Sequence, residues 1–476
     1  MTSVRGVRRW QGRLAVLTGV VVLPVAGLTA AVDASADTRP SSSSTPATVS
    51  ADALPTVQID GVVWSQAIVG TTVYAGGKFT TARPAGAAPG TQTVKRGNLL
   101  AYDIRTGALR TTFAPTLNGQ VLSVVASPDG KRVYVGGEFT TANGQRRNRL
   151  AAYDTATGKL VTTFAPSLDQ RVRAIVATST RVYVGGAFST ANGLRRTRIA
   201  AFAASNGGLL SWAPRADDGQ VLSMVLAPGG TRIVVGGQFT KLSGKANRGL
   251  GAIDAVTAVV GSFAVNTVVK DSGLNAGITS LTTDGRLVYG TGYDFGGGNF
   301  EGTFAATAAG ALTWLEDCHG DTYSSAPVGP VIYTVSHAHS CTTLGAFPDV
   351  TPKAWHRALA FTTAVKGTLS HWTAGHYADF GGRPAPRLLI WFPDLTAGSY
   401  TGQDQAAWSV VANSSYVALG GEFPAVNGKR QQGLVRFAIS SLAPNKQGPM
   451  ATPADLAVQA TPTGAGAVRV TYRTTW

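Results

Sequence analysis

A short phrase recurs along this chain and limits its fold more than any other feature. Each copy has an apolar strand-like stretch, two glycines, a variable residue and an aromatic residue. The five clear copies are VYAGGKFT from Val73, VYVGGEFT from Val133, VYVGGAFS from Val182, IVVGGQFT from Ile233 and VALGGEFP from Val417. Two weaker copies begin at Leu287 and Val331. With the first glycine or its equivalent as the mark, the intervals are 60, 49, 51, 56, 43 and 85 residues.

Intervals of this size are typical of the four-stranded blades of a β-propeller. In the clearest unit, Val121 to Ala126, 132–140, Leu150 to Tyr153 and Leu160 to Ala165 read as successive strands, with turn residues between them. A lone sheet cannot bury its two faces, whereas radial stacking buries them. The chain has 58 Gly and 23 Pro, which excludes a long coiled coil. We therefore predict an all-β propeller over residues 53–447, with seven blades, and six or eight as alternatives because the two weak copies are degenerate.

Ring closure is also predicted from the sequence. The last unit ends at GLVRFAIS, from Gly433, and lacks a convincing fourth strand. Leu54 to Asp60 resembles the stretch that precedes the first strand of other units. We expect Val57 to Ile59 to pair with the last blade.

The succession GGxF, NGxxR, AxxDxxTG and FxP resembles the delta-60-type repeat propellers of secreted bacterial proteins, over about residues 55–445. The closing unit shares this likeness through GEF at Gly421, VNG at Val426 and QQGLVRF at Gln431. The resemblance implies a β-propeller without an established catalytic activity, so it transfers no active-site residues.

The N-terminus predicts export. Arg5, Arg8, Arg9 and Arg13 precede an apolar run that ends at Ala34-Ser35-Ala36, so residues 1–36 read as a signal peptide. A transmembrane anchor is the alternative. Residues 37–52 read as a Ser/Thr/Pro-rich linker. Removing residues 1–36 takes away four arginines and one aspartate, so the net charge falls from +16 to +13. We expect a secreted or wall-associated protein with no later membrane span.

The C-terminal residues 448–476 lack the repeated phrase. Ala454 to Trp476 resembles the first two strands of a fibronectin type III module. A complete module needs about 90–100 residues, so we interpret this stretch as a truncated module. A plain C-terminal strand or tail is the alternative.

The two cysteines and all six histidines lie between 318 and 376. In an exported protein Cys318 and Cys341 are expected to form a disulfide. The weaker alternative is a metal site, because His337, His339 and Cys341 alternate along a predicted strand and would share one face.

Basic residues recur after each GGxF strand, at the turn that leads to the third strand. Five blades carry such a cluster, and the candidates for a binding face are Arg96, Arg146, Arg147, Arg195, Arg196, Lys245, Arg248, Lys429 and Arg430. Arginines suit carboxylate, sulfate or phosphate groups through forked hydrogen bonds. The alternative is that these arginines pair with aspartates of neighbouring blades, such as Asp154, Asp169 or Asp217. We expect at least one arginine per blade to be structural, with the second arginine of each pair, such as Arg147 or Arg196, as the better ligand.

No motif of nucleophilic or metal-assisted hydrolysis is present, since the sequence lacks both G-x-S-x-G and H-E-x-x-H. A pair of carboxylates from different blades would leave no sequence signature. The acids in or near the irregular units are Glu301, Glu316, Asp317, Asp379 and Asp394.

The sequence therefore predicts a secreted, monomeric, non-catalytic propeller without a cofactor. Its expected ligand is an anionic polysaccharide or other envelope polymer, or else an extracellular protein, and not nucleic acid. The alternative is an extracellular glycosidase, or the accessory part of one.

Overall fold

The computed structural model describes residues 42–444, 446, 459–464 and 467–471. The regular secondary structure of these residues is almost entirely β, as predicted, and their only helical segments are the 3-10 turns Ala264–Thr267 and Thr342–Leu344. No helix among the described residues is long and apolar enough to cross a membrane. The predicted signal peptide lies outside the described residues.

The repeats form antiparallel sheets of three or four strands, one for each copy of the repeated phrase in the described chain. We number these blades 1 to 7 in chain order. Their strands are Val62–Val69, Thr72–Lys78 and Leu99–Asp103; Val121–Ala126, Arg132–Gly137 and Leu150–Asp154; Val172–Ala177, Arg181–Gly186 and Ile199–Ala203; Val221–Leu226, Arg232–Gly237, Leu250–Asp254 and Val260–Gly261; Ala276–Thr283, Val288–Asp294, Gly302–Ala306 and Leu312–Glu316; Thr322–Val328, Val331–Ala338 and His356–Thr362; and Ala407–Ala412, Tyr416–Gly421 and Leu434–Ala438.

The blades form a closed ring. The first strand of each blade lies beside the first strand of the next, and the first strand of blade 7 lies beside that of blade 1. The first strands therefore surround the central channel of a β-propeller, which confirms the predicted fold class.

The paired glycines are required by two close approaches. A Cβ on Gly136 would stand 2.6 Å from a methyl group of Val172 in the next blade. A Cβ on Gly137 would stand 2.1 Å from the carbonyl oxygen of Gln120 in its own blade. One glycine thus admits the neighbouring blade and the other admits the innermost strand, so the repeated phrase specifies stacking.

The outermost strand is shorter than expected in most blades. Only blades 4 and 5 have a fourth strand in the ladder, and blade 2 keeps a single bridge between Tyr153 and Leu160 where Leu160 to Ala165 was predicted. An outermost strand has a partner on one side only, so little pairing holds it. Phe164, which follows this bridge, is fully buried and packs edge-on against Tyr134 at 5.2 Å.

The ring closes earlier in the chain than predicted. The Ser50 N–H donates to the Ala438 carbonyl at 2.8 Å, and the Leu54 N–H donates to the Arg436 carbonyl at 2.9 Å. Pro55 has no N–H, so the ladder is interrupted there. The main pairing with blade 7 therefore lies at residues 50–54, and Gln58–Ile59 forms its strand pair with Thr81–Arg83 of blade 1. The predicted contact of residues 57–59 with blade 7 is confirmed in part, because the Ile59 N–H donates to the Gln432 carbonyl at 3.3 Å. Residues 49–52, assigned to the linker, include the buried Val49 and Ser50.

The described residues fall into two compact units, and the residues above belong to Thr38–Pro444. In the other unit, Gln459–Gly464 pairs with Ala467–Thr471 as an antiparallel hairpin. Two paired strands agree with the start of a β-module, and the fibronectin assignment stays a prediction.

Candidate functional site

The predicted cationic clusters all lie on small hairpins between the second and third strands. These hairpins are Thr81–Arg83 with Val94–Lys95, Thr141–Ala142 with Gln145–Arg146, Thr190–Ala191 with Leu194–Arg195, Lys241–Leu242 with Lys245–Ala246, and Ala425–Val426 with Lys429–Arg430. Bridges join four of them to the segment that leads into the first strand, for example Leu117 to Ala142 and Leu168 to Ala191. We call this end of the ring, with its hairpins and blade-to-blade segments, the connector face.

In three of the clusters the second basic residue, Arg96, Arg147 or Arg196, has a structural role. Arg147 is 7% exposed, and its guanidinium donates to the carbonyls of Arg146 at 2.7 Å and Thr162 at 3.1 Å. Arg196 makes the equivalent bonds to the carbonyls of Arg195 and Leu210, both at 2.9 Å. Arg96 likewise donates to the Lys95 carbonyl at 2.7 Å. These side chains tie the hairpins to the outer edges of the blades, which contradicts our preference for Arg147 and Arg196 as ligands.

Seven other cations of the predicted clusters are exposed, and they are Lys95, Arg146, Arg195, Lys245, Arg248, Lys429 and Arg430. We call them the rim cations. Within the described residues, none of them has a carboxylate within 4.0 Å. Lys245 donates to the carbonyl of Val260 at 2.8 Å.

The aspartates proposed as partners are engaged locally. Asp169 accepts N–H donors from Ser189 and Thr190, and Asp154 accepts from Thr157. Asp217 pairs with Arg215 at 3.2 Å. The predicted pairing of these aspartates with the clustered arginines is therefore wrong, because backbone carbonyls take the structural arginines instead.

A cavity of about 640 Å³ opens where the first strands begin, in the middle of the connector face. Its lining residues come from every blade. We call this cavity the channel mouth. Its volume falls within the range of small-molecule sites, which is roughly 300–1,000 Å³.

Aromatic side chains of three adjacent blades form one wall of the channel mouth. The rings of Trp64 and Trp408 are 5.2 Å apart, and those of Trp408 and Tyr323 are 4.5 Å apart. The indole N–H of Trp64 donates to Gln120 at 2.9 Å, and that of Trp408 donates to Glu422 at 2.9 Å. These bonds hold the indoles in place.

The variable residue of the GGxF phrase also reaches this site. Glu138, in blade 2, accepts from Gln120 at 2.8 Å and from Arg171 at 3.3 Å. Gln238, in blade 4, lines the cavity and donates to the Tyr293 hydroxyl at 2.7 Å. At this position, Gln238 lines the cavity, and Glu138 contacts it through the lining residue Gln120.

Arg173 differs from its neighbours because no hydrogen-bond partner for it is found among the described residues. It lines the channel mouth, and its Nε is buried and unpaired. Burial, and then the charge of Arg171, lower the pKa of Arg173 to about 10. The group is therefore still cationic at neutral pH.

Asp321 is the one carboxyl group among the lining residues. It is fully buried, and burial raises its pKa to about 7. Glu301 accepts the N–H of Gly320 at 2.8 Å, and burial followed by the Asp321 charge raises its pKa to about 8. Both carboxyls therefore carry a proton for part of the time at neutral pH.

The five acids proposed for a glycosidase do not line this cavity. Glu316 and Asp317 are buried, with 2% and 3% exposure. Asp379 is a surface group that pairs with His371 at 2.8 Å. Asp394 lies on an exposed loop.

Cys318 and Cys341 form the predicted disulfide, which removes both sulfurs from any metal site. The strand that carries His337 ends at Ala338, so His339 and Cys341 lie beyond the predicted strand. Within the described residues, no group of three or more His, Cys, Asp or Glu side chains is placed to hold a metal ion.

The two candidate histidines already have hydrogen-bond partners. His337 Nδ1 lies 2.8 Å from both the Tyr323 hydroxyl and the Gln405 amide, and burial lowers its pKa to about 4. His339 Nε2 lies 3.0 Å from the Tyr377 hydroxyl.

Sequence reasoning missed the channel mouth because its residues come from seven separate repeats. One signal was available: the residue after each GG varies, as Lys78, Glu138, Ala187, Gln238 and Glu422 show, while its neighbours do not. Of these five residues only Gln238 lines the cavity, so this signal would have found one part of the site.

Residues 99–212 match the model of the Rax2 C-terminal beta propeller domain. Among solved structures, the chain is similar to one from "Crystal Structure of Mitotic Checkpoint Complex", with 12% identity and a TM-score of 0.46, over 83% of this chain and 98% of that chain. No curated protein matches. The family match agrees with the propeller fold in the region that it covers, and the likeness to delta-60-type propellers stays a prediction.

Proposed function

We propose that this protein is an exported, non-catalytic β-propeller that binds an anionic polymer, such as an envelope polysaccharide, across its connector face. The ring of rim cations carries this proposal. Several exposed cations from different blades project on one face, and their side chains have no carboxylate partners within 4.0 Å in the described part of the chain.

Carboxylates on the same face do not cancel these charges by direct pairing. Asp60 accepts the N–H groups of Thr80 and Thr81 at 2.7 and 2.9 Å, and Asp218 accepts that of Thr240 at 2.7 Å. These aspartates serve the hairpin backbone, so the rim cations stay available to a ligand.

A polymer suits this arrangement better than a single small anion. Each exposed ion pair contributes little by itself, about 0.2–1 kcal/mol. Repeated anionic groups on one chain can engage several blades together, and linked contacts gain affinity through their effective concentration. The net charge of +13 that remains without residues 1–36 favours the encounter with a polyanion.

The test is retention of the purified protein on immobilised polygalacturonate, with its methyl-esterified form as the uncharged match. One variant replaces four rim cations with glutamine: Arg146→Gln, Arg195→Gln, Lys429→Gln and Arg430→Gln. Its control removes four exposed cations from turns at the other end of the strands: Lys131→Gln, Lys159→Gln, Arg286→Gln and Lys366→Gln. Both variants lower the net charge by the same amount.

We expect the wild type and the control to be retained on the charged polymer, with retention falling as salt screens the contacts. The rim variant should elute early. An equal loss of retention in both variants would mean that only the net charge matters, and it would refute binding at the connector face. Release of reducing sugar would overturn the non-catalytic assignment, and capture of a protein without polymer binding would favour a protein partner.

A further inference from the structure

The channel mouth has an unmatched positive charge at its centre. Arg173 and Arg171 are close enough for each charge to affect the other. Glu138, a carboxylate whose charge acts on Arg173, is occupied by Gln120 and Arg171, with which it bonds at 2.8 and 3.3 Å. The Arg173 guanidinium therefore faces the cavity without an acceptor from the described residues, and an anionic group of a ligand would supply one.

The opposite wall is suited to a ring with an apolar face. Trp64, Trp408 and Tyr323 offer aromatic surface from three consecutive blades. Tryptophan and tyrosine combine a large apolar face with a polar tip, and here the tips are already hydrogen-bonded within the protein.

Neutral polar groups also line the cavity. Gln120, Gln220 and Gln238 line the cavity, and amides can both donate to and accept from hydroxyl groups. The Tyr293 hydroxyl lies within electrostatic reach of both Arg173 and Asp321. A ligand that matches these groups has one carboxylate for the arginine, hydroxyl groups for the amides and an apolar ring face for the aromatic wall. An acidic sugar has all three features.

We infer that the channel mouth is a binding site for a uronic acid, with Arg173 taking the carboxylate and the Trp64–Trp408–Tyr323 wall packing against the sugar ring. This inference rests on the proposed function, because the uronic acid would be one unit of the bound polymer. It adds a site for a single unit at the centre of a face whose rim binds many units.

The test titrates the purified protein with galacturonate, followed by tryptophan fluorescence and by calorimetry. Two control ligands are compared with galacturonate: galactose has the same ring without the carboxylate, and acetate has the carboxylate without the ring. The variants are Arg173→Gln and Arg173→Lys, with Arg286→Gln as the control at the other end of the strands. Circular dichroism and thermal unfolding check that each variant folds.

Galacturonate should change the fluorescence, because two tryptophans line the cavity. Arg173→Gln should weaken its binding at least about tenfold, since hydrogen bonds to charged groups contribute about 1.5–3 kcal/mol. The galacturonate affinity of Arg173→Lys should lie between those of the wild type and Arg173→Gln, because lysine keeps the charge but lacks the forked hydrogen bonds of a guanidinium. Arg286→Gln should bind as the wild type does.

Equal binding of galactose, or wild-type affinity in Arg173→Gln, would overturn the assignment of the carboxylate. If acetate binds as tightly as galacturonate, the assignment of the ligand as a sugar is overturned. Polymer retention without galacturonate binding would refute this site and leave the proposed function standing. Galacturonate binding without polymer retention would refute polymer binding by the rim cations and would support the site at the channel mouth.

Discussion

Glu316 offers the sharpest test of the buried acidic region in blade 5. It ends the strand Leu312–Glu316, is 2% exposed, and accepts the N–H of Cys318 at 3.2 Å. Burial, and to a lesser degree the charge of Asp317, raise its pKa from 4.5 to about 8. The folded protein therefore holds this proton more tightly than the unfolded chain does.

The sign of the pH dependence follows from that difference. The stabilising contribution is fully present below the unfolded pKa near 4.5 and is lost as pH rises towards 8. Each tenfold change in proton affinity corresponds to about 1.4 kcal/mol, so the loss at pH 8 has an upper limit of about 4 kcal/mol. Glu316→Gln removes the titrating proton and keeps the shape of the side chain.

Urea unfolding followed by tryptophan fluorescence at pH 5, 6, 7 and 8 measures this effect. The variant should match the wild type within about 1 kcal/mol at pH 5 and exceed its free energy of unfolding by a few kcal/mol at pH 8. Glu138→Gln is the control, because hydrogen bonds from Gln120 and Arg171 outweigh burial and lower the Glu138 pKa. That control should gain nothing at pH 8. Parallel pH profiles for Glu316→Gln and the wild type would refute the reasoning.

Three further outcomes are expected from urea or thermal unfolding. Replacing both Cys318 and Cys341 with serine should cost about 3 kcal/mol, the loop-entropy value for a disulfide closing a loop of this size, and an unchanged midpoint would contradict it. Arg147→Gln should destabilise by about 1–2 kcal/mol because it loses bonds to two carbonyls, while the exposed Arg146→Gln should not, and equal effects would refute the separation of roles. Gly136→Ala should cost about 1–3 kcal/mol, since the new Cβ meets Val172 at 2.6 Å, whereas Gly261→Ala enters open space, so similar losses would contradict the stacking role.

The architecture was predictable because the residues that determine strand pairing and blade stacking lie within each repeat. The two glycines at 136 and 137 are required within one blade and at its contact with the next, so a short phrase specifies both. The disulfide was predictable from two cysteines and the expected compartment. In each case the deciding contact lies within a repeat or between adjacent repeats.

The closing strand was misplaced for a local reason. Residues 57–59 carry the apolar pattern of a strand, but the missing N–H of Pro55 interrupts the ladder with blade 7, and Ile59 keeps a single backbone bond to Gln432. Ser50, which pairs with Ala438, lies within the predicted linker 37–52. Its partner lies in the last blade, far along the chain, so local sequence gives no sign of the pairing.

The roles of the clustered arginines could not be read from spacing. Arg146 and Arg147 are adjacent and alike in sequence, yet only Arg147 points back to the Thr162 carbonyl. The channel mouth escaped prediction for a broader reason. Trp64, Arg173 and Asp321 come together only when the whole ring has closed.

The most direct measurement of the central claim is amide hydrogen exchange of the protein with and without polygalacturonate. The account predicts slower exchange in the connector-face hairpins, such as residues 141–147, 190–196 and 425–430. It predicts no change in the turns at the other end of the strands, such as 127–132 and 155–159. Protection of those turns, with none in the hairpins, would contradict binding at the connector face.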